Sequence, residues 1–303
     1  MDLLVNFADR LISRVREIGH PLCLGLDPHI KLIPSLFRPS GSAETSDPDV
    51  DLARSFLFAV LERSVGKIAV VKPQSAFFEA MGWAGVKLLS ETISYSKKLG
   101  FIVLLDAKRG DIGSTAQAYA DAYLSEAGSL SVDAITVNPY LGVETLHPFA
   151  EHCKRNGRGM FTLVKTSNPG ASQFQDVLVD GKPLYHAVAA GLQSNESELL
   201  GSLGWSANGV VVGATYPEDA VRVREILPRS LFLIPGFGNQ GGEAKDALRS
   251  FIPGPNGPEG GIVSASRSIL FPSTLREDCT AGDWETNFDR GLDRAICDLR
   301  DVL

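Results

Sequence analysis

The hexapeptide Asp106-Ala107-Lys108-Arg109-Gly110-Asp111 follows an apolar run and sets acid, base and acid close together. Side chains alternate along a strand, so Asp106 and Lys108 share one side, Ala107 points away, and Asp111 follows in the adjoining loop. Lys72 stands at the end of the preceding apolar run. Two lysines and two aspartates gathered in one pocket keep each other ionised, because opposite neighbours offset the desolvation that neutralises an isolated ammonium. A cation held in this way can stabilise developing negative charge and then donate a proton. Any one of these residues taken alone reads as a structural ion pair. Four of them at adjacent strand ends read as a catalytic pocket.

The elements that position these residues are visible as alternation. Short β-rich apolar runs at 22–27, 68–73, 101–106, 134–138, 160–165, 210–214, 231–235 and 261–264 are separated by helix-like stretches such as 84–99 and 218–226. Most runs end in or just before a polar or special residue: Asp27, Lys72, Asp106, Asn138, Lys165, Thr215, Gly236 and Arg267. Nearly continuous apolar runs are those of parallel strands covered on both faces. Eight of them predict an α/β fold, a (β/α)8 TIM barrel. An additional N-terminal helix is expected over residues 2–18, with Leu3, Leu4, Phe7, Leu11, Ile12, Val15 and Ile18 on one stripe that closes the bottom of the barrel. Residues 40–51 and 236–261 read as long loops. An open doubly wound sheet would want a glycine-rich turn after its first strand, and Gly25-Leu26-Asp27-Pro28-His29 is not one.

The 303 residues suit one barrel domain over 1–303 with long loops. With 44% hydrophobic and 21% charged residues, the chain has the composition of a globular protein with a sizeable core. A net charge of -7 argues against a general nucleic-acid binder. No apolar run approaches the length of a membrane span, and the N-terminal residues do not resemble a secretory signal, so a cytoplasmic location is expected. Cys23, Cys153, Cys279 and Cys297 lack the close spacing of zinc sites or small disulfide scaffolds.

The array around Asp106, Lys108 and Asp111, with Lys72 ahead of it, resembles orotidine 5'-phosphate decarboxylases. Further segments extend the resemblance along the barrel. Leu24-Gly25-Leu26-Asp27-Pro28 is similar to the family's first strand, and Lys165-Thr166-Ser167-Asn168-Pro169 to its pyrimidine loop. The stretch from Pro235 to Gly242 is similar to its phosphate loop, and Arg267-Ser268 follows the eighth strand. The segment from Val71 to Glu79 and the chain length are closer to the longer bacterial branch, type 2.

The resemblance implies decarboxylation of orotidine 5'-phosphate with no cofactor and no metal. It makes Lys108 the cation beside C6 and the proton donor, with Asp106 as its in-chain partner. Asp27 and Lys72 would hold ribose hydroxyls, Ser167 the pyrimidine amide edge, and Gln240 and Arg267 the 5'-phosphate. It also implies a homodimer in which Asp111, with Ile112 and Thr115, reaches into the partner's site. Rival readings are a Mg²⁺-dependent sugar-phosphate decarboxylase of the same barrel type and a non-catalytic nucleotide-binding barrel.

Other residues invite separate chemistry. Glu144 and His147 have a spacing that suits a metal on a helix but lack a third ligand. Lys165 at a strand end invites an imine-forming role, against which its Thr-Ser-Asn-Pro surroundings weigh. Glu79, Asn138 and Asn168 are candidates for the pocket wall or for support behind it. Trp83, Trp205 and Trp284 read as packing or surface anchors.

Overall fold

The computed structural model describes residues 5–38, 47–238 and 243–303. The eight apolar runs become eight parallel strands: β1 (Leu22–Leu26), β2 (Val70–Pro73), β3 (Ile102–Arg109), β4 (Ala134–Val137), β5 (Gly159–Lys165), β6 (Ser206–Val212), β7 (Ser230–Ile234) and β8 (Gly261–Ala265). They close into a barrel in the order β1-β8-β7-β6-β5-β4-β3-β2. Every residue of β1, β2, β4, β6, β7 and β8 is buried, which explains why these runs are apolar rather than alternating.

The main helices are α1 (Phe7–Ile18), α2 (Pro48–Ser64), α3 (Gly82–Lys98), α4 (Gly113–Leu124), α5 (His147–Asn156), α6 (Leu184–Gly191), α7 (Pro217–Ile226), α8 (Arg267–Leu270) and α9 (Ala281–Arg300). Helix α1 starts where Asn6 accepts a hydrogen bond from the Ala8 amide, and it stops at Gly19, whose φ of 79° only glycine adopts freely. Its stripe of Phe7, Leu11, Ile12 and Val15 is buried. Leu3 and Leu4 lie outside the described residues.

That stripe closes the N-terminal end of the barrel. Phe7 packs edge-on against Phe161 of β5 at 6.1 Å, and Asp9 accepts hydrogen bonds from the Ser202 and Leu203 amides just ahead of β6. Arg10 pairs with Asp133 at the start of β4 at 2.9 Å. The opposite, C-terminal mouth is left open for chemistry.

Several boundaries differ from the sequence reading. Strand β3 does not end at Asp106 but continues to Arg109, with a register shift between Leu105 and Arg109 against β4. Strand β6 begins at Ser206, because Ser206 and Asn208 enter the core although they are polar. The loop expected over 40–51 ends at Asp47, whose carboxylate caps α2 by accepting from the Asp49 and Val50 amides, with Pro48 at the first helical position. The loop expected over 236–261 carries a helical turn, Ala244–Ala247, and a hairpin of Ile252–Gly254 with Gly257–Glu259. Gly-Pro-rich composition here signals a tight hairpin rather than absence of structure.

Among the described residues no helix is long and apolar enough to cross a membrane. All four cysteines are unpaired. Two of the tryptophans are packing anchors: Trp205 donates to Glu259 and lies against Arg224, and Trp284 packs on Phe37 and Phe288, whereas Trp83 is exposed.

Candidate active site

At the open mouth, β2, β3 and β4 bring four donors onto one carboxylate. Asp106 Oδ2 accepts from Lys72 Nζ at 3.1 Å and Gln74 Nε2 at 3.0 Å. Its Oδ1 accepts from Lys108 Nζ at 2.6 Å and Thr136 Oγ1 at 2.9 Å. Burial by itself would raise the Asp106 carboxyl, but the adjacent Lys72 and Lys108 ammoniums outweigh it and hold the group well below the usual carboxylate range. Burial likewise opposes charge on Lys72, and Asp106 and Asp27 overcome it, so Lys72 stays protonated beyond the usual lysine range. The Asp106 and Lys72 charges therefore remain fixed at neutral pH.

Exposure separates the two lysines. The Lys72 side chain is 7% exposed, whereas that of Lys108 is 45% exposed. Lys108 is thus the ammonium presented to a molecule entering the mouth.

Asp106 and Lys108 do meet, as alternation predicts, but the backbone between them is not a plain strand. Lys108 has φ 50°, the left-handed region, which costs a non-glycine residue about 1–2 kcal/mol. Such strain is commonly kept where function needs it. Gly110 then lets the chain turn against β4, since a Cβ there would lie 2.7 Å from the Asn138 carbonyl oxygen. On the outer side Arg109 donates to the Ala107 carbonyl at 3.1 Å and pairs with Glu79, which also accepts from Ser75. Glu79 is therefore support behind the motif.

The other predicted residues are distributed around the same end. Asp27 follows β1, and its Oδ1 is buried with no hydrogen-bond partner among the described residues, an acceptor ready for a ligand hydroxyl. His29 lies edge-on to Phe77 at 4.3 Å; burial lowers its pKa, Asp27 raises it and Arg267 lowers it, with a net decrease. Arg267 opens α8 directly after β8, is exposed, and has no ion pair among the described residues. Gln240 lies outside the described residues.

Ser167 sits in the turn after β5, where its backbone approaches so closely that a Cβ on Gly213 would meet the Ser167 Cα at 2.7 Å. That turn is tied down by Gln175, which bonds the Thr166 amide at 2.9 Å and hydroxyl at 2.8 Å. Asn168 accepts from Thr166 at 2.6 Å, and Asn138 accepts from the Tyr140 amide at 3.1 Å. Asp111 accepts from the Ile112 amide and forms no ion pair among the described residues. Ile112 is 61% exposed, and Thr115 is also exposed. Within one chain the structure brings Lys72, Asp106 and Lys108 together and does not bring Asp111 to them.

Two contributors escaped the sequence reading, Gln74 and Thr136. Gln74 is a polar residue directly after Lys72-Pro73, and Thr136 is the lone hydroxyl in Ala134-Ile135-Thr136-Val137; both are weak but readable signals. Lys165 is fully buried, with its ammonium paired to Asp176, 3.5 Å from Asp219 and over the rings of Tyr185 and Tyr216. It is enclosed and offers no face to a carbonyl substrate. Among the described residues no three His, Cys, Asp or Glu side chains are grouped to hold a metal, so Glu144 and His147 stay without a third ligand.

The chain is similar to known proteins over nearly its whole length. The sequence profile of the "Orotidine 5'-phosphate decarboxylase / HUMPS family" matches residues 20–278. The chain is 41% identical to the orotidine 5'-phosphate decarboxylase of Rhodopirellula baltica, with 99% of each chain covered. It is 39% identical to that of Caldicellulosiruptor bescii, over 88% of this chain and 90% of the relative. The solved structure of Leishmania donovani OMP decarboxylase superposes with a TM-score of 0.73 at 30% identity, covering 99% of this chain and 100% of that one. A barrel with its charges at the open mouth, matched in profile, sequence and fold over nearly its whole length, places the chain among carboxy-lyases: it belongs to the orotidine 5'-phosphate decarboxylase family.

Proposed function

We propose that this chain, working as one barrel domain, converts orotidine 5'-phosphate to uridine 5'-phosphate and carbon dioxide without a cofactor, the last step of de novo UMP synthesis. The observation that carries the proposal is the Lys72-Asp106-Lys108 array, in which both lysines bond the one carboxylate and only Lys108 is open to the mouth. Breaking the bond between C6 and its carboxylate leaves the electron pair on C6 in the ring plane. Lys108 stabilises that pair as a preorganised cation and then donates its proton to C6, recovering one from water. Asp106 positions Lys108 and shapes the field around the leaving carboxylate.

The remaining residues bind. Asp27 accepts from ribose hydroxyls and Lys72 donates to them, Ser167 meets the pyrimidine amide edge, and Arg267 with Gln240 holds the 5'-phosphate. Phosphate sites after the seventh and eighth strands are common in this fold. The direct test is to incubate the protein with orotidine 5'-phosphate and EDTA and follow loss of ring absorbance. Turnover should proceed unchanged. Inhibition by the chelator would support a Mg²⁺-dependent sugar-phosphate decarboxylase chemistry instead, and binding without turnover a nucleotide sensor.

Asp111, Ile112 and Thr115 serve the partner's site in a homodimer. A carboxylate with no ion pair among the described residues, beside an exposed isoleucine, supports this, as do exposed Tyr140 and Leu141 on the neighbouring loop. In a mixture of Lys72→Ala and Asp111→Ala chains, each mixed dimer contains one intact site. Recovery of up to about a quarter of wild-type activity is expected after random exchange. No recovery would refute a shared site.

A further inference from the structure

The register shift in β3 leaves two amides without ladder partners: Leu105 pairs with Ile135 and Arg109 with Val137, and nothing on β4 faces Ala107 or Lys108 in regular register. Both amides are taken up by one side-chain oxygen. Thr136 Oγ1 accepts from Ala107 N at 3.0 Å and from Lys108 N at 2.9 Å, and it donates its own hydrogen to Asp106 Oδ1 at 2.9 Å. A hydroxyl has two lone pairs and one proton, so its capacity is fully used. Thr136 is 1% exposed, so water does not replace it.

The oxygen that Thr136 holds, Asp106 Oδ1, is the same one that accepts from Lys108 Nζ. One hydroxyl therefore grips Lys108 twice, directly at the backbone and through Asp106 at the ammonium. The left-handed φ at Lys108 is a conformation that the lysine would leave if released. We propose that Thr136 is a positioning residue: its hydroxyl holds Lys108 in the left-handed conformation and aims its ammonium at the reacting carbon. This rests on the decarboxylase reading for the identity of the reaction, but the holding of the backbone stands apart from it.

Thr136→Val keeps the shape and removes the hydroxyl, whereas Thr136→Ser keeps the hydroxyl. The valine variant is expected to lose about 100-fold in kcat with KM for orotidine 5'-phosphate little changed, because a small misplacement of a catalytic group has an effect of that order. The serine variant should recover most of the rate. Hydrogen exchange at the Ala107 and Lys108 amides should accelerate in the valine variant and not in the serine variant. Wild-type kcat and wild-type exchange in Thr136→Val would overturn the proposal. So would equal loss in both variants with a common fall in melting temperature, which is what a packing role predicts. If the unaltered protein does not turn over orotidine 5'-phosphate, the functional reading falls, and the exchange measurement alone decides whether Thr136 holds Lys108.

Discussion

Lys108→Ala is expected to lower kcat by roughly 10⁴-fold or more while the protein remains folded and still binds uridine 5'-phosphate. A general acid contributes about 10²–10⁴-fold, and one preorganised donor on a developing charge about 10²–10³-fold. Both effects are asked of the same ammonium. The fold should survive because Asp106 keeps Lys72, Gln74 and Thr136 as partners when Lys108 is cut back. Lys108→Gly should be somewhat more stable than Lys108→Ala, since glycine adopts φ 50° without the Cβ penalty. Turnover is read by ring absorbance, binding by calorimetry and stability by thermal melting. Substantial residual turnover in either variant would remove Lys108 as the proton donor.

Asp106→Asn is expected to cost about 3–5 kcal/mol of stability at neutral pH as well as activity, because it leaves the buried Lys72 ammonium without its carboxylate. The amide cannot serve four donors, and in either orientation its own NH2 would face one of the two lysines together with Gln74 or Thr136. The pH dependence has a definite sign. The folded Asp106 carboxyl lies below its unfolded value of about 3.9, so its contribution is fully present above that pH and fades as pH falls toward the folded value. Lys72 is raised in the fold, so its contribution is complete below its unfolded value of about 10.4 and fades as pH rises past it. Denaturant titrations should therefore show the gap between wild type and variant narrowing below about pH 4. A gap under about 1 kcal/mol at pH 7 would contradict the buried-charge account. The paired replacement Lys72→Met with Asp106→Leu should recover stability without activity, since well-packed apolar residues often replace a buried ion pair at no loss.

The barrel was readable in the sequence because its strands are buried on both faces, which leaves uninterrupted apolar runs. The charged residues were readable because several Asp and Lys residues fall together at the ends of neighbouring runs, where one alone, such as Lys165, reads as a structural ion pair. Thr136 left only a weak signal, since a threonine inside a strand is an ordinary β-former, and its value depends on a register shift in the neighbouring strand. The same shift explains why β3 continues to Arg109 although the apolar run stops at Leu105. Asp47-Pro48 did carry a helix-start signal, hidden within the Ser- and Asp-rich stretch that contains it. Asp111 shows the opposite limit: its motif suggests chemistry, yet a single chain leaves it apart from both lysines.

Helix α1 has a consequence for how the molecule is made. Its Asp9 finds its partners in Ser202 and Leu203, 193 and 194 residues later. At about 5–20 residues per second of synthesis, those partners emerge roughly 10–40 s after the helix itself. During that interval the barrel end that Phe7, Leu11, Ile12 and Val15 cover is incomplete, and apolar surface left open in this way favours association with other chains. Helix α1 is fully seated only once the chain has been made through the start of β6.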